Sequence, residues 1–355
     1  MKKSLQIGGA FVGLIVGAGF ASGQEIMQYF TSFGIWGTVG GIIAAVAFAF
    51  LGYTLAQLGS DLQTSSHKEV IYYLGGRYIG FILDVIITFF LFGVAVVMFA
   101  GSGSTFKQML GIDPMIGSVI MVAATILTLL LNVKNIINLI AIITPYLMVI
   151  IFVILIYSIF TMDISFTEAN SLAKEQSSST SNWIMGALLY VSYNIAAGAA
   201  LLIVMGGTIK DRKVAGLGGI FGGIMLGILI ILINLSMFVK MDIVGGVDMP
   251  TLELAAQIHP AVGILMAIAL LGMMYNTAVG MFYAFTVRFI KPESKSFKPA
   301  VVVTGLLGFG ASIIGFTTLV GKVYSTMGYL GFALILAILI AWARKGKSHK
   351  PAITA

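Results

Sequence analysis

The chain has 355 residues, of which 59% are hydrophobic and 9% charged, with a net charge of +7 and no cysteine. A soluble domain carries about 25% charged residues, and a chain of this length cannot hide so much apolar surface in a soluble core. Disulfides and thiol chemistry are excluded, and the basic residues are scattered over short loops, which fits orientation in a membrane and argues against a nucleic-acid partner.

In chain order, apolar runs long enough to cross a hydrocarbon core of roughly 30 Å fall at Leu5–Phe30, Gly34–Leu58, Tyr78–Gly101, Pro114–Asn132 and Asn135–Phe160. The opening Lys2-Lys3 and apolar run imitate a secretory leader, but the run continues past Glu25 to Phe30 and is long enough to span. A polar stretch from Thr161 to Asn182, with Ser177-Ser178-Ser179-Thr180-Ser181, reads as an exposed loop. Five more runs follow at Trp183–Met205, Gly216–Val239, Pro260–Phe289, Pro299–Phe316 and Lys322–Ala343, and the tail from Arg344 to Ala355 is basic. With the N-terminus inside, Lys2, Lys3, Lys68, Arg77, Lys134, Lys210, Arg212, Lys213, Arg288, Lys291, Lys295, Lys298, Arg344, Lys345, Lys347 and Lys350 are cytoplasmic. Lys107, Lys174, Lys240 and Lys322 are outside, a 16-to-4 split. That split places both termini in the cytoplasm of a multi-pass plasma-membrane protein, and adding or dropping a middle span would scramble it.

Five spans, a loop and five spans point to one transmembrane domain, 1–343, built of repeat one (5–160), an outer loop (161–182) and repeat two (183–343), followed by a cytoplasmic tail at 344–355. An odd number of helices per repeat forces the second copy upside down, an arrangement common in secondary transporters. Three correspondences support it. The first helix of each half is interrupted, at Gly17–Gly23 and at Tyr193-Asn194-Ile195-Ala196-Ala197-Gly198. The loop after each second helix carries a short amphipathic helix, His67 to Leu74 and Pro250 to Ile258. The fifth helix of each half opens with a lysine, Lys134 and Lys322.

Gly17–Gly23 is the most informative stretch. Glycine costs about 1 kcal/mol in a helix interior, and unwound backbone inside a membrane is tolerated only where it is buried in protein or lines a cavity. Freed N–H and C=O groups there can bind a zwitterion or a cation. Close helix packing by small residues is the competing explanation; it suits Gly37/Gly41, Gly218/Gly222 and Gly223/Gly227, whereas at Gly17–Gly23 the polar residues Ser22, Gln24 and Glu25 follow at once.

Gly17-Ala18-Gly19-Phe20 resembles the glycine-rich signature in the first helix of the amino acid–polyamine–organocation superfamily. The longer Val16-Gly17-Ala18-Gly19-Phe20-Ala21-Ser22-Gly23-Gln24-Glu25 resembles the YkvI-type amino-acid permeases within it, and Ser192-Tyr193-Asn194 with Gly198 is similar to the broken sixth helix of the same fold. The resemblance implies an all-α, LeuT-type five-plus-five inverted repeat with discontinuous helices one and six. It implies solute contacts at Gly17, Ala18, Gly19, Phe20, Ala21, Ser22, Tyr193, Asn194, Ala197 and Gly198. It further implies a sodium ion between Thr277 and the carbonyls of Gly17 and Phe20, although the expected neighbouring pair of hydroxyls is replaced by Asn276 and Ala278. A buried polar contact between helices is the other reading of Asn276 and Thr277.

Two carboxylates lie well inside spans, Glu25 and Asp84, and an ionisable residue at membrane depth is a functional candidate. Glu25 either caps the half-helix after the break, where its charge suits the dipole, or carries the coupling ion or contacts the solute's amine. Asp84 lies two turns from the inner face and reads as structural. Asn132, Asn135 and Asn138 look interfacial, and Pro145 is a kink candidate. There is no G-x-x-x-x-G-K-[ST] loop, which excludes a self-powered ATP pump. His67, His259 and His349 lie in loops or the tail, which leaves no intramembrane metal or Ser–His protease site. The chain is therefore expected to be no enzyme and to need no cofactor beyond a candidate bound Na+. Its partners would be a small solute (an amino acid or amine) and membrane lipid. The expected function is Na+- or H+-coupled transport by alternating access; the rival is a solute-sensing, germinant-receptor-like subunit of the same fold.

Overall fold

Apolar runs become helices throughout the described residues. The structure, a computed structural model, describes residues 2–63, 67–131 and 137–345, and no strand occurs among them. The first span is divided into α1 (Lys2–Ile15), α2 (Ala18–Ala21) and α3 (Gln24–Tyr29). Then come α4 (Ile35–Leu62), α5 (His67–Leu110), α6 (Pro114–Leu131) and α7 (Ile137–Phe160). The connecting stretch holds α8 (Phe166–Lys174). The second half comprises α9 (Trp183–Gly207), α10 (Arg212–Phe238), α11 (Met241–Val244), α12 (Pro250–Ile258), α13 (Pro260–Phe289) and α14 (Phe297–Ser312). It closes with α15 (Phe316–Leu319), a π-helical turn at Val320–Tyr324, and α16 (Ser325–Lys345).

The helix starts follow local chemistry. Asn182 accepts the Met185 N–H at 2.9 Å, and Asp211 accepts the Lys213 and Val214 N–H groups at 2.8 and 3.2 Å. Pro250 and Pro260 stand in the first turn, where a missing N–H costs nothing.

Six helical stretches are each long and apolar enough to cross a membrane among the described residues: α4, 84–110 of α5, α6, α10, α13 and Phe316–Ala343. α9 is a seventh when its two arms count as one span. The other expected spans correspond to the divided first helix, to α7 with 24 residues and to α14 with 16. Large apolar side chains face outward in stripes along several spans, as at Ile42, Val46 and Phe50, at Phe81, Val85 and Phe89, and at Ile264 and Ile268. Spacing of four residues along a helix puts such side chains on one face, and a belt of this size is stable only against lipid.

Two opposite polar faces bound that belt. On one, Ser4 Oγ donates to the Val214 carbonyl at 2.9 Å, Ser60 Oγ to the Ile209 carbonyl at 2.7 Å, and Arg212 lies 3.6 Å from Asp61. On the other, Asn170 accepts the Ile35 N–H at 3.1 Å, Ser179 Oγ donates to Gln28 at 2.6 Å, and Gln176 accepts the Gly246 N–H at 2.8 Å. The N-terminus and the 208–214 turn therefore share one face, and 161–182 lies on the other.

α1, α4, α9 and α10 form a tight bundle, and α5 packs on α13 beside it. First-on-seventh packing (α1 on α10) is matched by sixth-on-second packing (α9 on α4), the exchange that two inverted copies produce. Small residues permit the close approach: a Cβ on Gly219 or Gly223 would run into the α4 backbone at Gly52 or Ala49, while Gly218 and Gly222 accept Ile7 and Phe11 of α1.

Several expectations shift. The sixth helix keeps helical hydrogen bonding through Tyr193–Gly198 and bends by 56° just beyond, between Trp183–Ala199 and Leu201–Gly207. The ninth span ends at Ser312 and the tenth begins at Phe316, because Gly315 at φ +96° breaks an apolar run that reads as continuous. Lys322 consequently sits inside the π-helical turn and not at a helix start. The inner amphipathic segment 67–74 is the first part of α5, set off by a kink at Gly76 (φ 60°). The 161–182 loop contains α8, whose Ser165 accepts the Glu168 N–H at 3.2 Å. That Ser-x-x-Glu pattern was a readable helix start. Lys134, Asn132, Asn135 and residues 346–355 lie outside the described residues.

Candidate functional site

The divided first helix organises the site. α1 stops at Ile15; Gly17 is extended, with ψ −174°, before the single turn of α2. The chain breaks again at Ser22-Gly23, where Gly23 takes φ +81°, a left-handed conformation that side chains resist. Ser22 holds both sides of this second break: its Oγ donates to the Gly19 carbonyl at 2.7 Å and accepts the Gln24 N–H at 3.2 Å. Thr251 of α12 pins it from across the molecule, its N–H donating to the Ser22 carbonyl at 3.1 Å and its hydroxyl to the Ala21 carbonyl. The orphaned backbone groups of the break thus find partners within the protein, as membrane depth requires.

Beside the break lies a cavity of about 460 Å³, within the range of roughly 300–1,000 Å³ that small-molecule sites occupy. Gly17, Ala18, Gly19, Glu25, Tyr193, Asn194, Ala197, Asn276 and Thr277 all line it. Residues more than 250 positions apart, on α1–α3, α9 and α13, are therefore brought to one space. Four named residues stand away from it. Phe20 and Ala21 are fully buried in packing, Ser22 is the brace just described, and a Cβ on Gly198 would press on Leu14 and Ile15 of α1. Gly17 and Thr277 both line the cavity, whereas Phe20 does not, and the Phe20 carbonyl accepts the Gly23 N–H at 3.1 Å.

Glu25 is 6% exposed, and its carboxylate accepts a hydrogen bond from the Tyr193 hydroxyl at 2.5 Å. Its other oxygen rests against Gly19, where an added Cβ would overlap it. Tyr193 in turn stacks on Tyr324 with ring centroids 5.0 Å apart, and Tyr29 and Tyr190 pack edge-on or tilted around it at 5.7 and 5.4 Å. Asn276 and Thr277 have no hydrogen-bond partner among the described residues although both face the cavity. Sequence reading missed Val94 and Met98 on α5, Met273 and Met281 on α13, and Tyr324 and Met327 on the tenth span. None of these carried a readable signal in the sequence; the π-helical turn that ends at Tyr324, a feature that often marks a functional position, appears only in the structure.

The cavity lining runs down α1 to Gly13 and down α13 to Ala284, toward the N-terminal face. The opposite side is closed by polar contacts. Gln28 donates to the Thr317 carbonyl at 2.9 Å, and Ser104 and Thr317 donate to Asp248 at 2.8 and 2.5 Å. Asp84, outside the cavity, pairs with Arg288 at 2.6 Å, joining the third and eighth spans.

No protein-family model matches the chain. Over 346 residues it is 27% identical to the uncharacterized membrane protein YkvI of Bacillus subtilis (strain 168), covering 97% of each chain. Among solved structures, Mhp1 in its inward-facing conformation superposes with a TM-score of 0.70 at 16% identity, over 96% of this chain and 76% of that one. The substrate-bound, outward-open state of a Na+-coupled sialic acid symporter gives 0.60 at 16% identity, over 95% and 79%. Likeness at these identities speaks for the fold alone: the chain is an all-helical, polytopic, membrane-embedded protein with the LeuT-type fold, shared with secondary transporters.

Proposed function

We propose that the protein is a cation-coupled secondary transporter of an amino acid or small amine, working by alternating access. The observation that carries this reading is the cavity at the first-helix break, which holds a buried carboxylate and is closed on one side of the membrane. Discontinuous helices meeting at mid-membrane are where transporters of this architecture hold solute. The resemblance of Gly17-Ala18-Gly19-Phe20 to the first-helix signature of the amino acid–polyamine–organocation superfamily is what supports the amino-acid or amine assignment.

Alternating access requires one closed and one open side at a time. The Gln28–Thr317–Asp248–Ser104 contacts supply the closed side, and the descent of the cavity toward the N-terminal face supplies the other. With the N-terminus inside, as the 16-to-4 charge split argues, this is the inward-facing arrangement. The coupling cation is assigned to Glu25, because Asn276 and Ala278 flank Thr277 where a neighbouring pair of hydroxyls is expected for sodium, and Glu25 is the charged side chain among the described lining residues. Uptake into proteoliposomes with Na+ and pH gradients imposed separately tests the proposal. Accumulation driven by the pH gradient is expected. Solute binding with no gradient-driven accumulation would refute it and favour a sensor.

A further inference from the structure

We propose that the solute is an organic monocation, an amine with an apolar body and no carboxylate, held by Glu25 beside the stacked rings of Tyr193 and Tyr324. This rests on the reading of the first-helix cavity as the binding site and narrows the solute it takes.

Three observations carry it. First, the charge in the cavity has one sign: Glu25 is acidic, and no lysine, arginine or histidine is among the lining residues described. The described ion pairs of Arg212, Lys240 and Arg288 lie elsewhere, with Asp61, Asp163 and Asp84. A buried carboxylate without a cationic partner is costly, and an ammonium group brought by the solute removes that cost. Second, the place at the helix break where a solute carboxylate would lie is already taken. One oxygen of Glu25 rests against Gly19 and the other is held by Tyr193 at 2.5 Å. A second carboxylate there would meet like charge at contact distance. Third, the remaining polar atoms suit a donor-rich ligand. The Asn194 amide gives one of its two N–H donors to the Tyr190 carbonyl at 2.9 Å, and its carbonyl oxygen and the Thr277 hydroxyl, both without a partner among the described residues, are able to accept from an ammonium group.

The walls fit the rest of such a molecule. Tyr193 and Tyr324 line the space with their rings stacked on each other, so a cation meets an outer face of the pair, and an organic cation is attracted to a ring face within about 6 Å of its centroid. Met98, Met273, Met281 and Met327 supply a deformable apolar lining for an alkyl or aryl body. A carboxylate that holds either the ammonium or a proton, and not both, also serves the coupling role assigned to Glu25.

The test is titration calorimetry on the full-length purified protein with matched pairs: 3-methylbutylamine against leucine, and phenethylamine against phenylalanine. The amines are expected to bind at least tenfold more tightly than the amino acids. Glu25→Gln should weaken amine binding at least tenfold and Tyr324→Leu several-fold, with thermal unfolding confirming that each variant is folded. Tighter binding of the amino acids, or no binding of either amine, overturns the proposal. So does a Glu25→Gln protein that binds amine normally and loses only its pH response, which would leave Glu25 as a proton carrier alone. Ala197→Trp, which fills the cavity, separates this proposal from the reading beneath it. Amino-acid binding abolished by Ala197→Trp keeps the cavity and rejects the amine; binding of any probe that ignores Ala197→Trp rejects the cavity.

Discussion

Replacing Gly19 by alanine adds one methyl group at the point where Glu25 rests. That Cβ would overlap a carboxylate oxygen, and the neighbour able to yield is the end of the Glu25 side chain, not backbone. Movement of the carboxylate breaks the 2.5 Å bond from Tyr193. A hydrogen bond to a charged group contributes about 1.5–3 kcal/mol, and each 1.4 kcal/mol is about tenfold in an equilibrium constant. Gly19→Ala should therefore raise the solute KM by roughly 10- to 100-fold, with expression and membrane insertion preserved. Gly19→Leu, which also fills the cavity beside the break, should abolish transport. Gly9→Ala is the control: it lies in α1 of the same divided span with open space around it and should be neutral or slightly stabilising. The assay is the initial rate of uptake in proteoliposomes at matched protein density. Wild-type kinetics in Gly19→Ala would show that the carboxylate is not held over the break, and normal transport by Gly19→Leu would reduce the glycine stretch to a packing surface.

Tyr193→Phe removes the donor to Glu25 while keeping the ring stack on Tyr324; a KM rise of similar size, about 10-fold or more, is expected in the same assay, and an unchanged KM would detach Tyr193 from the site. Asp84→Asn should leave uptake within about twofold and cost no more than about 1 kcal/mol in thermal stability, since the Asp84 side chain is 52% exposed in its pair with Arg288; loss of transport would make that pair functional. Single cysteines introduced into the cysteine-free chain should place 177–181 outside and 210–213 inside, and labelling of both from one side would remove the ten-span topology.

The membrane class, the span order and the first break were legible in the sequence because each rests on local chemistry. Apolar length sets which segments cross lipid, and three glycines in seven residues weaken a helix wherever they stand. Pro260–Phe289 has the same bounds as a run of residues and as a helix, since proline starts it and a charged stretch ends it. The start of the tenth span was not legible, because Phe316–Val320 is as apolar as the helix before it and only the backbone of Gly315 separates the two. The bend of the sixth helix lies nearly two turns past its polar residues Ser192-Tyr193-Asn194, where packing and not composition directs the chain. The site divides in the same way. Gly19, Glu25, Tyr193 and Thr277 stand out as residue types at membrane depth, but whether such a residue faces a cavity, a brace or a neighbouring helix depends on the rotation of each helix about its axis. Packing set that rotation, turning Ser22 and Gly198 away, bringing Tyr324 and Met327 in, and laying the Glu25 carboxylate over Gly19.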